Sequence, residues 1–436
     1  MFLHELLKVW ITFIPLFPHK FNMRKCLIYK NLVLTTEGIM FDTGQFKIFE
    51  LDEEHIQEFE NVYRGIINEK DSFISSLIKN RTINYDLKTV KINMTNFCNL
   101  KCNYCFANEG TYNKKKRKFD KELIDKFIDF LILYPSIQNI TFFGGEPLLN
   151  EDGIEYLCEH VHNLRPDIGF YCQTNGTLMN ERIDKLIHQY KIKITLSIDG
   201  TKEDNDRNRV FKDNRGSFDI INDNYKYFKE SVLSIEATYD GKSKYSKREI
   251  AEYLTKKYDC TNVSVCELFG NSRNIEFTSP KKDIEDILNS SSIPINRTRE
   301  LILGFFTKTN QCYFCSAGTQ LLNIDSDGKI YPCHLLIDKE DKYVLGDLTA
   351  FNKDEFERKR LKFTEKVNKK SYKQCKKCNI SWNCSQCFAA KENINFDDCK
   401  KMNDNALEIY EELAREIKRG RLNEILLKLK GAVKYV

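Results

Sequence analysis

The chain has 436 residues, more than one ordinary domain needs, which predicts a main catalytic domain of about 200 residues flanked by one or two smaller modules. Its formal net charge of +5, from 68 basic and 63 acidic residues, gives no argument for a nucleic-acid partner, although local basic runs suit an acidic peptide. Sixteen cysteines in a long, charge-rich chain, many in tight CxxC-type clusters, point to metal binding rather than to the disulfide framework of a small secreted protein.

Residues 1–22 include an apolar stretch, 9–17, interrupted by Pro15; it is too short to span a bilayer, and no small-residue cleavage site follows. A cytoplasmic protein with no membrane association is expected. Met23 precedes the first strand-like run, 25–29, so the first 22 residues read as an upstream extension of a protein beginning there. Between 26 and 51 apolar runs alternate with the turn residues Lys30-Asn31, Glu37-Gly38 and Thr43-Gly44, which predicts three short strands, and a helix over 53–69 follows. Residues 1–88 thus form a small β-then-α module.

From Thr89 strand and helix patterns alternate. Strands are predicted near 89–94, 138–143, 168–172, 192–198, 233–239 and 261–267, with helices near 120–133, 151–164, 180–190, 216–230 and 246–258. Six strands joined by helices predict an α/β fold, a parallel array over 89–277, open or closed, with its chemistry at the carboxyl ends of the strands. A polar and then helical linker, 278–311, leads to the cysteine-rich region, 312–405, and residues 406–430 show the spacing of a terminal helix within 406–436. Lys114-Lys115-Lys116-Arg117-Lys118 is a basic run in a loop.

Directly after the first of these strands, Cys98, Cys102 and Cys105 stand as CxxxCxxC within one loop. Three thiolates hold three irons of a 4Fe-4S cluster and leave the fourth iron open to an outside ligand. A zinc site would need a fourth protein ligand, and no His or Cys follows within reach. Later strands end in further motifs: Phe143-Gly144-Gly145-Glu146-Pro147, Gln173-Thr174-Asn175-Gly176 and Ser197-Ile198-Asp199-Gly200. Each alone is explained equally well as a turn, but they share the same position after successive strands.

Together with Tyr104 before the third cysteine, these motifs resemble the radical S-adenosylmethionine superfamily. The resemblance implies a partial (β/α)6 TIM-type barrel. It also implies that the free iron chelates S-adenosylmethionine, which reductive cleavage turns into methionine and a 5′-deoxyadenosyl radical. Cofactor contacts then fall to Tyr104, to Gly144, Gly145 and Glu146 as the methionine-binding motif, and to Asn175, Ser197 and Arg209. Glycines let the backbone approach a ligand, the exposed carbonyls and Glu146 can accept from an ammonium, and Arg209 suits a carboxylate.

In the carboxy-terminal region Cys315 and Cys333 flank Gly328, then Cys375, Cys378, Cys384 and Cys387 run as CxxCx5CxxC, and Cys399 stands alone. This resembles the SPASM extension of radical enzymes that modify peptides, although that pattern has three residues between the last two cysteines of the quartet and this chain has two. Carried over residue by residue, the first auxiliary 4Fe-4S cluster takes Cys315, Cys333 and Cys387, with Cys312 as candidate fourth ligand. The second takes Cys375, Cys378, Cys384 and Cys399. From the residues alone, two all-cysteine zinc centres remain the rival. Cys26, Cys158, Cys172, Cys260 and Cys266 are expected in the core.

Where the sulfatase-maturing dehydrogenases of that group carry an acidic residue, Tyr331-Pro332-Cys333-His334 has histidine, a candidate base. The form looks more like maturases of ribosomally made peptides that join a cysteine sulfur to a carbon. The expected partners are a precursor peptide, encoded nearby, and an electron donor such as flavodoxin or ferredoxin. The amino-terminal module sits where such maturases often recognise a leader peptide, a strand added to a sheet edge, and a plain cap on the barrel is the other reading. Alternative functions are a carbon–carbon cross-linker, a side-chain dehydrogenase and a non-enzymatic peptide-binding zinc protein.

Overall fold

The computed structural model describes residues 12–13, 26–43, 45–68, 70, 72, 86–268, 279–289, 297–306, 312–376, 378, 380–384, 386–392, 396 and 399–431. The amino-terminal sheet contains β1 (Thr12–Phe13), β2 (Leu27–Tyr29), β3 (Leu32–Leu34), β4 (Ile39–Asp42) and β5 (Lys47–Glu50), in the order β1-β5-β4-β3-β2. Residues 26–51 therefore make four strands, not three. The Lys30-Asn31 signal is itself a hairpin turn, with Lys30 at φ 53° and Tyr29 paired to Leu32, so three turns separate four antiparallel strands.

Side chains alternate across this sheet and both faces are covered. Leu32, Leu34 and Met40 pack under Ile56, Phe59 and Val62 of the helix Glu53–Tyr63, whose amino terminus is closed by the Asp52 side chain accepting from His55 N. That cap is worth about 1 kcal/mol. The helix stops short of the predicted residue 69 because Gly65 turns the chain at φ 73°. Val33, Ile39, Phe41 and Ile48 face the other way, toward the helices Pro280–Asn289, Arg297–Phe306, Cys399–Lys418 and Leu422–Gly431. Phe41 meets Phe305 at 5.6 Å and Tyr410 at 4.8 Å between ring centres. The module thus buries its second face on carboxy-terminal helices, and the single helix expected over 406–430 is two, broken at Gly420 with φ 74°.

The second sheet holds β6 (Thr89–Thr95), β7 (Asn139–Gly144), β8 (Gly169–Thr174), β9 (Lys193–Ser197), β10 (Val232–Tyr239) and β11 (Val263–Glu267), parallel and adjacent in chain order. The five predicted helices lie between them at Lys121–Leu133, Glu151–Leu164, Glu181–Gln189, Phe218–Phe228 and Lys247–Tyr258, and the short helix Lys202–Asn208 is additional. Side chains of Asp120, Asn180, Thr201 and Ser246 cap four of the six helices, which is why these residues mark the starts.

The barrel is an open arc. β11 pairs only with β10 among the described residues, while β6 takes a further parallel neighbour, β12 (Leu321–Ile324), followed by β13 (Lys329–Tyr331) and β14 (Gly346–Asp347). Leu321 lies opposite Thr89 and Ile324 opposite Ile92, and the Asn323 amide donates to Asn93 Oδ1 at 3.2 Å. The cysteine-rich region therefore extends the parallel sheet, and one apolar cluster runs from Leu87 to Ala389.

Of the five cysteines expected in the core, Cys158, Cys172 and Cys260 are buried. Cys266 is exposed, because β11 is the open edge of the sheet, and Cys26 is half-buried with its thiol donating to Glu411 at 2.9 Å. No helix of the described residues is long and apolar enough to cross a membrane.

Candidate active site

A cavity of about 300 Å³ opens at the carboxyl ends of the parallel strands. It is lined by Cys98, Cys102, Tyr104 and Cys105 after β6, by Gly144, Gly145 and Glu146 at the end of β7, and by Asn175 after β8. Ser197 of β9, Arg209 and, from the cysteine-rich region, His334 complete the residues expected from sequence.

Backbone packing sets the position of the cysteine loop. A Cβ on Gly145 would lie 2.2 Å from Phe97 O, one on Gly144 2.1 Å from Thr95 O, and one on Gly110 2.3 Å from Gly145 Cα. Only glycine permits that contact between the two strand-end loops. Thr95 Oγ1 bonds Phe97 O and Glu146 O, both at 3.0 Å, and the Asn96 amide holds Lys115 O at 2.7 Å and accepts from Arg117 N at 2.5 Å. Asn175 Nδ2 donates to Asn99 Oδ1 at 3.0 Å and reaches Cys98 Sγ at 3.6 Å.

Glu146 is buried, with Oε1 accepting from Thr174 Oγ1 at 2.8 Å and Leu148 N at 3.1 Å, and Oε2 from Asn175 N at 2.8 Å. Burial raises its carboxyl to about 7 against these bonds. Its first work is thus to tie the ends of β7 and β8 together, with one lone pair of Oε2 left toward the cavity. Burial, with Glu146 second, pushes the Cys98 thiol up to about 12, and burial raises Cys102 to about 11 against the pull of Arg209. Metal coordination is what such thiols need in order to ionise.

Sequence reasoning missed the hub beside them. Asp199 is buried and accepts from Arg209 Nε at 3.0 Å, Tyr104 OH at 2.5 Å and Thr238 N at 2.9 Å. The Arg209 guanidinium lies 5.6 Å from the Tyr104 ring centre, so both side chains named from sequence are oriented by an aspartate named only as part of a turn. An aspartate three residues before a helix start reads as ordinary turn chemistry, and its partners are distant in sequence. His334 packs on Phe143 at 4.8 Å and Phe106 at 5.7 Å, and burial, then Lys91, pushes its pKa well below the usual value.

Cys315, Cys333 and Cys387 line a second cavity of about 250 Å³ among Phe314, Leu336, Phe363 and Phe388. Cys312 is outside that lining; its thiol acts on Lys369 together with Cys384, Cys375 and Cys378. Cys384, Cys378 and Cys399 in turn raise Cys375 to about 11 after burial, which sets these four apart from the first three. Lys369 stands buried between the groups, its ammonium on Ser381 O and 5.7 Å from the Phe314 ring, and burial takes it down to about 8.

Among the described residues no three His, Cys, Asp or Glu side chains gather at a single-ion site. A tetrahedral zinc wants four sulfurs within about 4 Å of one another, whereas each iron of a cluster takes its own thiolate. Cys98, Cys102 and Cys105 around the first cavity and Cys315, Cys333 and Cys387 around the second fit clusters. Anaerobic reconstitution is accordingly expected to load about twelve irons per chain and little zinc. Metal analysis giving about four irons and two zincs would return the carboxy-terminal cysteines to zinc.

Residues 92–255 match the model of the radical SAM superfamily, and 315–379 that of the SPASM iron–sulfur cluster-binding domain. A cysteine-type anaerobic sulfatase-maturating enzyme of Clostridium perfringens is 27% identical over 350 residues, 68% of this chain and 88% of that protein. The radical SAM cyclopropyl synthase TigE of Paramaledivibacter caminithermalis is 29% identical over 200 residues, 41% of each chain. Among solved structures, anSMEcpe with bound AdoMet aligns with a TM-score of 0.62 at 21% identity, over 80% of this chain and 99% of its own, a likeness of fold. The first domain binds S-adenosylmethionine and a 4Fe-4S cluster, and the second binds auxiliary iron–sulfur clusters. A cysteine loop at the head of an open parallel barrel, continued by strand pairing into the cluster-binding region, thus unites in one enzyme a radical SAM domain at 92–255 and a SPASM domain at 315–379.

Proposed function

We propose that the protein is a peptide maturase that joins a cysteine sulfur of a ribosomally made precursor to a carbon of another residue. The observation that carries this is the shared cavity: the cysteine loop and His334, next to the auxiliary ligand Cys333, face one volume of about 300 Å³. A peptide carbon held there would face both the cysteine loop and the His334–Leu335 segment that follows Cys333. Bound S-adenosylmethionine supplies, on one-electron reduction, a radical able to abstract a hydrogen atom. Cys98, Cys102 and Cys105 would hold the cluster whose open iron would bind it, Gly144 and Gly145 would offer backbone carbonyls, and Arg209, fixed by Asp199, would supply positive charge. Phe106, 42% exposed at the mouth, offers the peptide an apolar contact and helps to keep water out.

The amino-terminal sheet serves this reading as leader-binding module. β2 pairs only with β3 among the described residues, so its outer edge can take an added strand. The 27% identity to a sulfatase-maturating enzyme over 88% of its length favours a second reading, a side-chain dehydrogenase. A further solved anSMEcpe complex, with AdoMet and the Cp18Cys peptide, has a TM-score of 0.58 at 22% identity over 79% of this chain and 99% of its own.

Mass spectrometry of a co-expressed precursor separates these. The thioether reading expects a loss of about two mass units per bridge, with the bridged cysteine no longer open to alkylation. The same loss with every cysteine still alkylated would favour a carbon–carbon cross-link, and a cysteine lost as an aldehyde without a bridge would favour the dehydrogenase.

A further inference from the structure

A charged group inside the barrel mouth has no part in the arrangement above. Glu236, on β10, opens onto the cavity, and its Oε2 accepts from the Gln173 amide of β8 at 2.7 Å. Lys91, on β6, has its ammonium 4.8 Å from the centre of the ring of Phe143, which lines the same cavity. Burial lowers the Lys91 pKa, and Glu236 is the first of the two groups that oppose the shift.

The carboxylates around the cavity differ in what holds them. Both oxygens of Glu146 accept hydrogen bonds within the β7–β8 junction. Asp199 is taken by Arg209, Tyr104 and Thr238. Glu109 faces Lys212 at 3.7 Å. Glu236, an exposed residue at the cavity mouth, forms no ion pair within 4 Å among the described residues, and its one side-chain hydrogen bond there, from the Gln173 amide, occupies Oε2, which leaves Oε1 open to solvent and to whatever fills the cavity. His334, the base suggested by sequence, is instead wedged between Phe143 and Phe106.

We propose that Glu236 is the catalytic base that accepts the proton of the attacking substrate thiol, with Gln173 orienting its carboxylate and Lys91 as the facing cation. This rests on the thioether reading. The S–H proton passes to Glu236 Oε1, and the acceptor carbon loses one hydrogen atom to the cofactor-derived radical. The sulfur–carbon bond forms between thiolate and carbon radical, and the one surplus electron goes to an oxidised auxiliary iron–sulfur cluster. The peptide loses one proton, one hydrogen atom and one electron, which closes the balance. Glu236 lies on a barrel strand, outside every cysteine motif, where its charge reads from sequence as a solvated strand face.

The test uses full-length, cluster-loaded enzyme with its precursor peptide and records thioether and 5′-deoxyadenosine together. Glu236→Gln keeps the shape and is expected to hold 5′-deoxyadenosine formation within about threefold of wild type while thioether falls about 100-fold or more, the range of a lost general base. Glu236→Asp should recover about tenfold of that loss. The thioether yield per 5′-deoxyadenosine cancels any difference in cluster loading. Glu236→Gln with an undiminished ratio overturns the proposal. So does a variant that loses S-adenosylmethionine binding and 5′-deoxyadenosine together, since Glu236 would then serve the cofactor. A wild type that makes no thioether removes the parent reading as well, whereas a wild type and a variant that both make it remove only the role of Glu236.

Discussion

Replacing Cys98, Cys102 and Cys105 together by alanine is expected to abolish 5′-deoxyadenosine formation while about eight irons per chain remain. These three thiols line the cavity that also gathers the other residues proposed to contact the cofactor, and the carboxy-terminal cysteines group elsewhere. The loop itself should survive. Its position comes from the Gly110–Gly145 and Gly145–Phe97 backbone contacts and from Thr95 and Asn96, and the thiols add only weak bonds such as Leu100 N to Cys98 Sγ at 3.4 Å. Far-ultraviolet circular dichroism should therefore match wild type. A folded triple variant that still made 5′-deoxyadenosine from cofactor and reductant would show that the radical site is not this loop.

Cys375→Ala with Cys378→Ala is expected to stop peptide modification, remove about four irons and leave some uncoupled cofactor cleavage. The barrel cavity contains neither residue, so the radical chemistry keeps its walls, but the surplus electron loses its acceptor. Folding is the complication, because cluster binding contributes to a domain's stability. The neighbouring segment has anchors of its own: Trp382 is buried against Phe46 at 5.3 Å and Phe305 at 6.0 Å, and Arg297 bonds Asn383 Oδ1 at 2.8 Å. One of two tryptophans in the chain, Trp382 gives a fluorescence check that this packing persists. A well-folded double variant that modified peptide at the wild-type rate would remove these cysteines from the electron route.

The placement of the amino-terminal module has a consequence for that design. Its sheet shares a core with Ile380 and Trp382 through Phe41, Phe305 and Tyr410. Leader binding on β2, as proposed above, is therefore expected to stay at the wild-type level in a double variant whose Trp382 fluorescence is unchanged.

Local chemistry was legible in the sequence because it is written in adjacent residues. CxxxCxxC needs one loop, a helix start needs one side-chain acceptor, and six βα alternations leave a period in the apolar pattern; all six strands and five linking helices follow from these. The residues proposed as cofactor contacts all line the cavity, and those within contiguous strand-end motifs were legible for the same reason. What the sequence could not decide were contacts whose partners lie far apart in the chain. β12 beside β6 joins residues 230 apart through Asn323 and Asn93, and no local pattern distinguishes that pairing from a separate small domain. Asp199 gains its meaning from Tyr104 and Thr238, Glu236 from Gln173, and Lys369 from five thiols in three chain segments. The sequence by itself thus determined which residues can carry the chemistry. The tertiary structure decided which of them face one cavity, because burial and electrostatics act through space and not along the chain.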